Sequence, residues 1–156
     1  MTVSDSPPAL AADLLELPVQ LTEGATLPSY QTAGAAGLDL CCSEDFTLEP
    51  MERKLVSTGV RIAIPAGYEG QVRPRSGLAI RHGISMVNTP GTIDSDYRGE
   101  LRLILINFGS DAVTFSRGDR IGQLVLCPVS RAQLKVVDGL DITDRGEGGF
   151  GSTGRC

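Results

Sequence analysis

Short apolar or alternating runs, each closed by Gly, Pro, Asp or Ser, recur along the chain and constrain its fold more than any other feature. They are Leu17–Leu21, Leu38–Cys42, Phe46–Leu48, Lys54–Ile64, Gly70–Arg73, Ile84–Asn88, Glu100–Phe108, Ala112–Phe115 and Ile121–Val129. Turns this frequent suit a chain with 19 glycines and 9 prolines among 156 residues. Many short strands at close spacing read as an all-β sandwich, jelly roll or barrel. The best helix candidate, Ser76–Arg81, is too short to shape the architecture. No strand–helix–strand rhythm is present, which excludes a Rossmann or P-loop core. No apolar run approaches the ~18 residues of a membrane-spanning helix, and the length suits one domain.

Charge divides the chain. The first 52 residues hold nine acids and no base, whereas from Arg53 onward fourteen bases face ten acids. A start without bases is neither a secretory signal nor a transit peptide, so a cytoplasmic location is expected. A net charge of −5 argues against general nucleic-acid binding. Twelve of the fourteen bases are Arg, the side chain whose planar fork grips phosphate. That bias has two readings, a small phosphorylated ligand or G+C-rich codon usage.

Cys41, Cys42, Cys127 and Cys156 have no metal-ligand spacing. As neighbours in a strand, Cys41 and Cys42 point to opposite faces, and reduced thiols are the simplest account. The single histidine, His82, reads as a solvated loop residue and leaves no multi-histidine zinc site. Residues 1–16 read as an N-terminal extension, 17–144 as the β domain and 145–156 as a C-terminal arm. The arm contains RGEGGFGSTG, five glycines in ten residues around one aromatic ring. It suits either a mobile tail or a segment that closes over a ligand, the ring stacking and the amides cradling an anion.

Five segments carry the chemistry. AAGLDL (35–40) sets Asp39 after a glycine, where a backbone-capping role is the plainest reading. PRSGLA (74–79) clusters Arg75, the Ser76 hydroxyl and the amides around Gly77 into a phosphate seat or a surface turn. NTPGTIDSDYRGE (88–100) turns at Pro90–Gly91 as a hairpin whose mouth can read a base edge, with Asp94, Asp96 and Glu100 as carboxylates and Tyr97 as a ring to lie against a sugar. RGDRIGQLV (117–125) offers the Gln123 amide, and the glycine-rich arm is the fifth.

In this order and spacing the five segments resemble the five motifs of the homotrimeric dUTPase family, over about Leu17 to Gly154. The resemblance implies a jelly-roll-like β barrel with a flexible glycine-rich C-terminal arm, assembled as a homotrimer whose active sites are shared between subunits. It implies hydrolysis of dUTP to dUMP and pyrophosphate, which limits uracil in DNA and supplies dUMP for dTTP synthesis. Asp94 would orient and deprotonate the water that attacks the α-phosphorus in line. Arg75, Ser76, Gly77 and Gln123 would hold phosphates. Asn88, Gly91, Thr92 and Ile93 would hold the uracil, leaving no room for a 5-methyl group and rejecting cytosine through unpaired buried groups. Tyr97 would pack on the deoxyribose and collide with a 2′-hydroxyl. Arg102 joins the substrate-binding set, as do Arg145, Phe150, Gly151 and Ser152 on the arm, with Arg145 at the γ-phosphate and Phe150 over the uracil. Mg²⁺ would bridge the triphosphate mostly through water, with Asp39 as outer-shell support. Neither a nucleic-acid nor a membrane partner is expected.

Two departures stand out. Gly122 occupies a position where the fourth motif commonly has Ala, and Cys41–Cys42 follows the first motif where small or polar residues are usual. Two other readings are a dCTP deaminase of the same superfamily and a module that binds a nucleotide or protein without turnover. The intact PRSGLA and DYRGE segments oppose the first, and the water-activating Asp94 opposes the second.

Overall fold

A computed structural model describes residues 14–149 and Ser152. Ten strands and one short helix follow in chain order: β1 (Val19–Leu21), β2 (Leu38–Cys41), β3 (Phe46–Leu48), β4 (Arg53–Ile62), β5 (Tyr68–Arg73), α1 (Ser76–His82), β6 (Ile84–Met86), β7 (Gly91–Ile93), β8 (Glu100–Asn107), β9 (Val113–Phe115) and β10 (Arg120–Pro128). They build two four-stranded sheets, β1-β4-β8-β6 and β2-β10-β5-β7, and a two-stranded ribbon, β3-β9. Every strand pairing is antiparallel. The architecture is the all-β, jelly-roll-like one expected, and no helix is long and apolar enough to cross a membrane among the described residues.

Period-two alternation explains the core. In β8 the side chains of Leu101, Leu103 and Leu105 are buried and alternate with exposed Arg102 and half-buried Ile104 and Ile106. They pack with Val56, Val60 and Ile62 of β4, and with Val72, Leu40 and Leu124 from the other sheet, in one cluster. Each fully buried leucine contributes roughly 1.5–3 kcal/mol relative to exposure. Buried polar groups are paired: Asn107 donates to the Leu48 carbonyl at 2.9 Å and accepts from the Gly109 amide at 2.8 Å. Phe46 and Phe115 stack at 4.7 Å and tie the ribbon together.

Two irregularities matter for the site. β4 shifts register against β8 between Ser57 and Arg61, at Gly59, whose φ of 70° and whose closeness to Ala25 exclude a side chain. β10 shifts register against β2 between Arg120 and Gly122.

One expectation needs correction. Pro90–Gly91 does not close a hairpin of paired strands: β6 pairs with β8, whereas β7 pairs with β5. The turn passes the chain from one sheet to the other, because Ile84 and Met86 fill the core from the first sheet and Ile93 packs against it from the second. An exposed run leads on toward the C-terminal arm. It follows β10 directly, and residues 130–143 carry no strand.

Candidate active site

β10 lies between β2 and β5, and Gln123 is in register with Asp39 on one side and Arg73 on the other. Paired residues of adjacent strands share a face, so the Asp39 and Gln123 side chains project together from the side of the sheet opposite the core. Gly37 makes room for the amide: a Cβ there would lie 2.6 Å from Gln123 Oε1. Gln123 Nε2 donates to the Pro74 carbonyl at 3.1 Å and so anchors the start of the PRSGLA turn. Arg75 follows, with Nε 3.5 Å from Asp39 Oδ1 and Nη1 donating to the Arg120 carbonyl at 3.1 Å. Ser76 and Gly77 open α1, where backbone N–H groups have no intrahelical acceptor. Asp39, Arg75, Ser76, Gly77, Arg120 and Gln123 all line one cavity of about 370 Å³. Two guanidinium groups against one carboxylate leave it net positive, with a fork suited to phosphate oxygens.

Arg120 was not anticipated. Its Nη1 sits 3.0 Å from Asp39 Oδ2. Three residues from Gln123, it would point to the opposite face of a regular strand. The bulge between Arg120 and Gly122 inserts one residue and brings both side chains to the same cavity. The sequence signal was only its place within the RGDRIGQLV segment. Gln31, from the loop before β2, lines the same cavity and carried no signal.

The long third segment forms a second region. The Asn88 amide lies over Gly91, with Nδ2 3.1 Å from where a Cβ would stand. Thr92 is exposed and Ile93 packs against the core. Asp94, exposed at the end of β7, lines a cavity of about 710 Å³ with Tyr68, Glu69, Asp96 and Arg131. The turn after it is closed locally: the Tyr97 amide donates to the Asp94 carbonyl at 3.1 Å. Arg98 Nη1 donates to the carbonyls of Ser95 and Tyr97 at 2.7 and 2.8 Å.

Ile93 is in register with Gly70, which sets Asp94 beside Glu69 at the start of β5. The four steps from Glu69 to Arg73 span roughly 13 Å, and Arg75 lies beyond them. The two cavities share no lining residue.

The remaining expected residues lie elsewhere. Arg102 is exposed on β8, in the other sheet, with Nε 3.7 Å from Glu100 Oε2. Arg145 Nε donates to the Gly148 carbonyl at 2.7 Å, and the Ser152 amide donates to the Gly149 carbonyl at 3.0 Å. Phe150 and Gly151 lie outside the described residues. Two residues after Asp39 on β2, burial pushes the Cys41 thiol above its ordinary pKa, and the Asp39 charge adds to the effect. Cys42 is raised too, chiefly by burial.

No group of three or more His, Cys, Asp or Glu side chains that could hold a metal occurs among the described residues. Asp39 is the one carboxylate lining the Arg75–Arg120 cavity, so a Mg²⁺ ion there would take its other ligands from bound phosphates and water.

The dUTPase family model matches residues 23–154, which contain all five motif segments. The chain belongs to the dUTPase family. A deoxyuridine 5'-triphosphate nucleotidohydrolase of Anaeromyxobacter sp. (strain Fw109-5) is 64% identical over 129 residues, covering 83% of this chain and 88% of the relative. Among solved structures, a dUTPase mutant of Staphylococcus bacteriophage 80alpha with dUpNHpp superposes with a TM-score of 0.84 at 28% identity, covering 90% of this chain and 99% of that one. A mutant dUTPase from phage phi11 of S. aureus, described with a structural Mg(II) ion, gives 0.76 at 26% identity, covering 82% and 100%.

Proposed function

We propose that the chain is one protomer of a homotrimeric enzyme that hydrolyses dUTP to dUMP and pyrophosphate, each active site joining the phosphate cavity of one copy to the Asn88–Tyr97 segment of another. The observation that carries this is the separation of the two cavities along β5. A general base must lie within about one water of the reacting atom, and Asp94 cannot meet that condition at a phosphate held by Arg75 of its own chain. An apolar arm that its own chain leaves uncovered supports the assembly. Leu134, Val136, Leu140 and Ile142 are each at least 87% exposed. A matching apolar groove lies beside edge strand β1, lined by Leu15, Leu17, Val19, Tyr30, Leu38 and Leu126. The arm of a second copy would fill it and deliver Arg145 and Phe150 to that copy's site.

In this reading Arg75, Ser76, Gly77, Gln123 and Arg120 hold the triphosphate, and Asp39 orients the two guanidinium groups. Bound Mg²⁺ supplies charge neutralisation at the phosphates, with Asp39 supporting it through water. Asn88 and the β7 backbone hold the uracil, and Tyr97 packs on the deoxyribose. Asp94 takes the proton of the attacking water. The enzyme is placed in the cytoplasm, which free Cys41, Cys42 and Cys127 suit.

The decisive assay measures pyrophosphate release with Mg²⁺ from dUTP, dTTP, dCTP and UTP, in the wild type and in Asp94→Asn. Release from dUTP alone, lost in the variant, is expected. Ammonia from dCTP would move the protein to the deaminase branch, and binding of dUTP without turnover would make it a binding module. Co-refolding inactive Asp94→Asn with inactive Arg75→Ala tests the sharing. Mixed assemblies contain sites built from two intact halves and regain activity, whereas sites made within one chain stay dead.

A further inference from the structure

The ring of Tyr97 lies directly over Gly99. A Cβ built on Gly99 would fall on the Tyr97 hydroxyl and the ring carbon that bears it, and only 2.8 Å from Cε2. Tyr97 is 43% exposed and is not part of the core cluster, so packing from the domain interior does not set the ring's position. Two local contacts do. The Tyr97 hydroxyl donates to the Glu100 carbonyl at 3.0 Å, and the flat face of Gly99 supports the ring. Arg98 holds the Tyr97 carbonyl from the other side of the turn. Gly99 is also outside the left-handed region, so its backbone accepts any L-residue. Its missing side chain is required by the ring, not by the main chain.

We propose that Gly99 is a specificity-determining positioning residue: lacking a side chain, it sets the height of the Tyr97 ring and thereby the clearance at C2′ of the bound sugar. The inference rests on the proposed dUTP reading, in which Tyr97 packs on the deoxyribose. A side chain at residue 99 lifts the ring, breaks its bond to the Glu100 carbonyl and removes a fixed wall against a 2′-hydroxyl. A hydrophobic wall rejects an added hydroxyl by only about a hundredfold, and ångström-scale displacement is enough to erode that margin.

The test is a double-mutant cycle on the ratio of kcat/KM for dUTP over that for UTP, in wild type, Gly99→Ala, Tyr97→Ala and the double variant. Gly99→Ala is expected to lower the ratio by about tenfold or more, and to leave it unchanged once Tyr97 is already Ala. An unchanged ratio in Gly99→Ala, or an equal fall in both backgrounds, overturns the assignment. Should Gly99→Ala fail to fold, the double variant decides, because removing the ring removes the clash. In that case a folded double variant whose dUTP-over-UTP ratio equals that of Tyr97→Ala upholds the proposal, and an unfolded double variant or a ratio that differs between the two refutes it. Absence of dUTP turnover in the wild type would instead overturn the underlying reading, an outcome distinct from an unchanged ratio.

Discussion

Arg120 Nη1 lies 3.0 Å from Asp39 Oδ2, while the other oxygen of that carboxylate faces Arg75 Nε at 3.5 Å. One acid thus spaces two guanidinium groups across the same cavity. The Asp39 side chain is only 13% exposed, so solvent screens the arrangement less than it would a surface pair.

Replacing Asp39 with Asn keeps the shape and removes the charge. The two arginines then repel and lose their common anchor. The expected result is a KM for dUTP raised by about tenfold, in line with the loss of charge-assisted hydrogen bonds, with a smaller fall in kcat. Steady-state kinetics at several Mg²⁺ concentrations would check this, and an unaltered KM would show that Asp39 does not orient the pair.

Gly122 and Leu103 form a second close relationship, across the core. A Cβ on Gly122 would fall on Leu103 Cδ2, and both residues are buried. The alanine common in this motif is thus excluded here by a leucine that occupies its space. Gly122→Ala should destabilise by about 1–3 kcal/mol through overpacking, and Leu103→Val in the same chain should recover part of the loss. Denaturant titration of the three variants measures it. Full stability of Gly122→Ala would mean that Leu103 moves aside freely.

Val136 and Ile142 are 96% and 99% exposed in the single chain. A change to Asp there would cost a lone chain at most about 0.5 kcal/mol. If the arm fills a neighbour's groove, the charge must be buried. Val136→Asp and Ile142→Asp should then shift the protein from trimer to monomer in sedimentation velocity and lower dUTP turnover at least about tenfold. A stable, active trimer in both variants would refute the arm-in-groove assembly.

The thiols of Cys41 and Cys42 have pKa values raised above 9.0 by burial. A raised folded-state value means that the unfolded chain ionises first as pH climbs. The sign follows: folding is unaffected below about pH 9 and weakens above it as the unfolded thiols ionise. Thermal midpoints measured from pH 7.5 to 10.5 should fall less steeply in Cys41→Ala and Cys42→Ala than in the wild type. Parallel curves would remove these thiols as the cause.

Much of the fold was legible in the residues. The runs Phe46–Leu48, Gly70–Arg73 and Glu100–Phe108 became β3, the end of β5 and β8, because alternation and turn residues act over a few neighbours. PRSGLA, read as a possible phosphate seat, does place Arg75, Ser76 and Gly77 around one cavity with Gln123 and Asp39. Arg120 was hidden, since its face depends on a bulge one residue away, and bulges arise from pairing with another strand. The division of β6 and β7 between two sheets was hidden for the same reason.

The sequence by itself determined the alternation of buried and exposed side chains, the turns, and the segments that carry Asp39, Arg75, Asp94 and Gln123. Those are local properties of composition and period. Only the tertiary structure decided which side chains converge. It brought Arg120 and Arg75 onto one carboxylate, held Asp94 at the far end of β5 from both, and laid the Tyr97 ring on Gly99. Strand register and sheet membership are settled by hydrogen bonds between residues distant along the chain, and no short-range pattern encodes them.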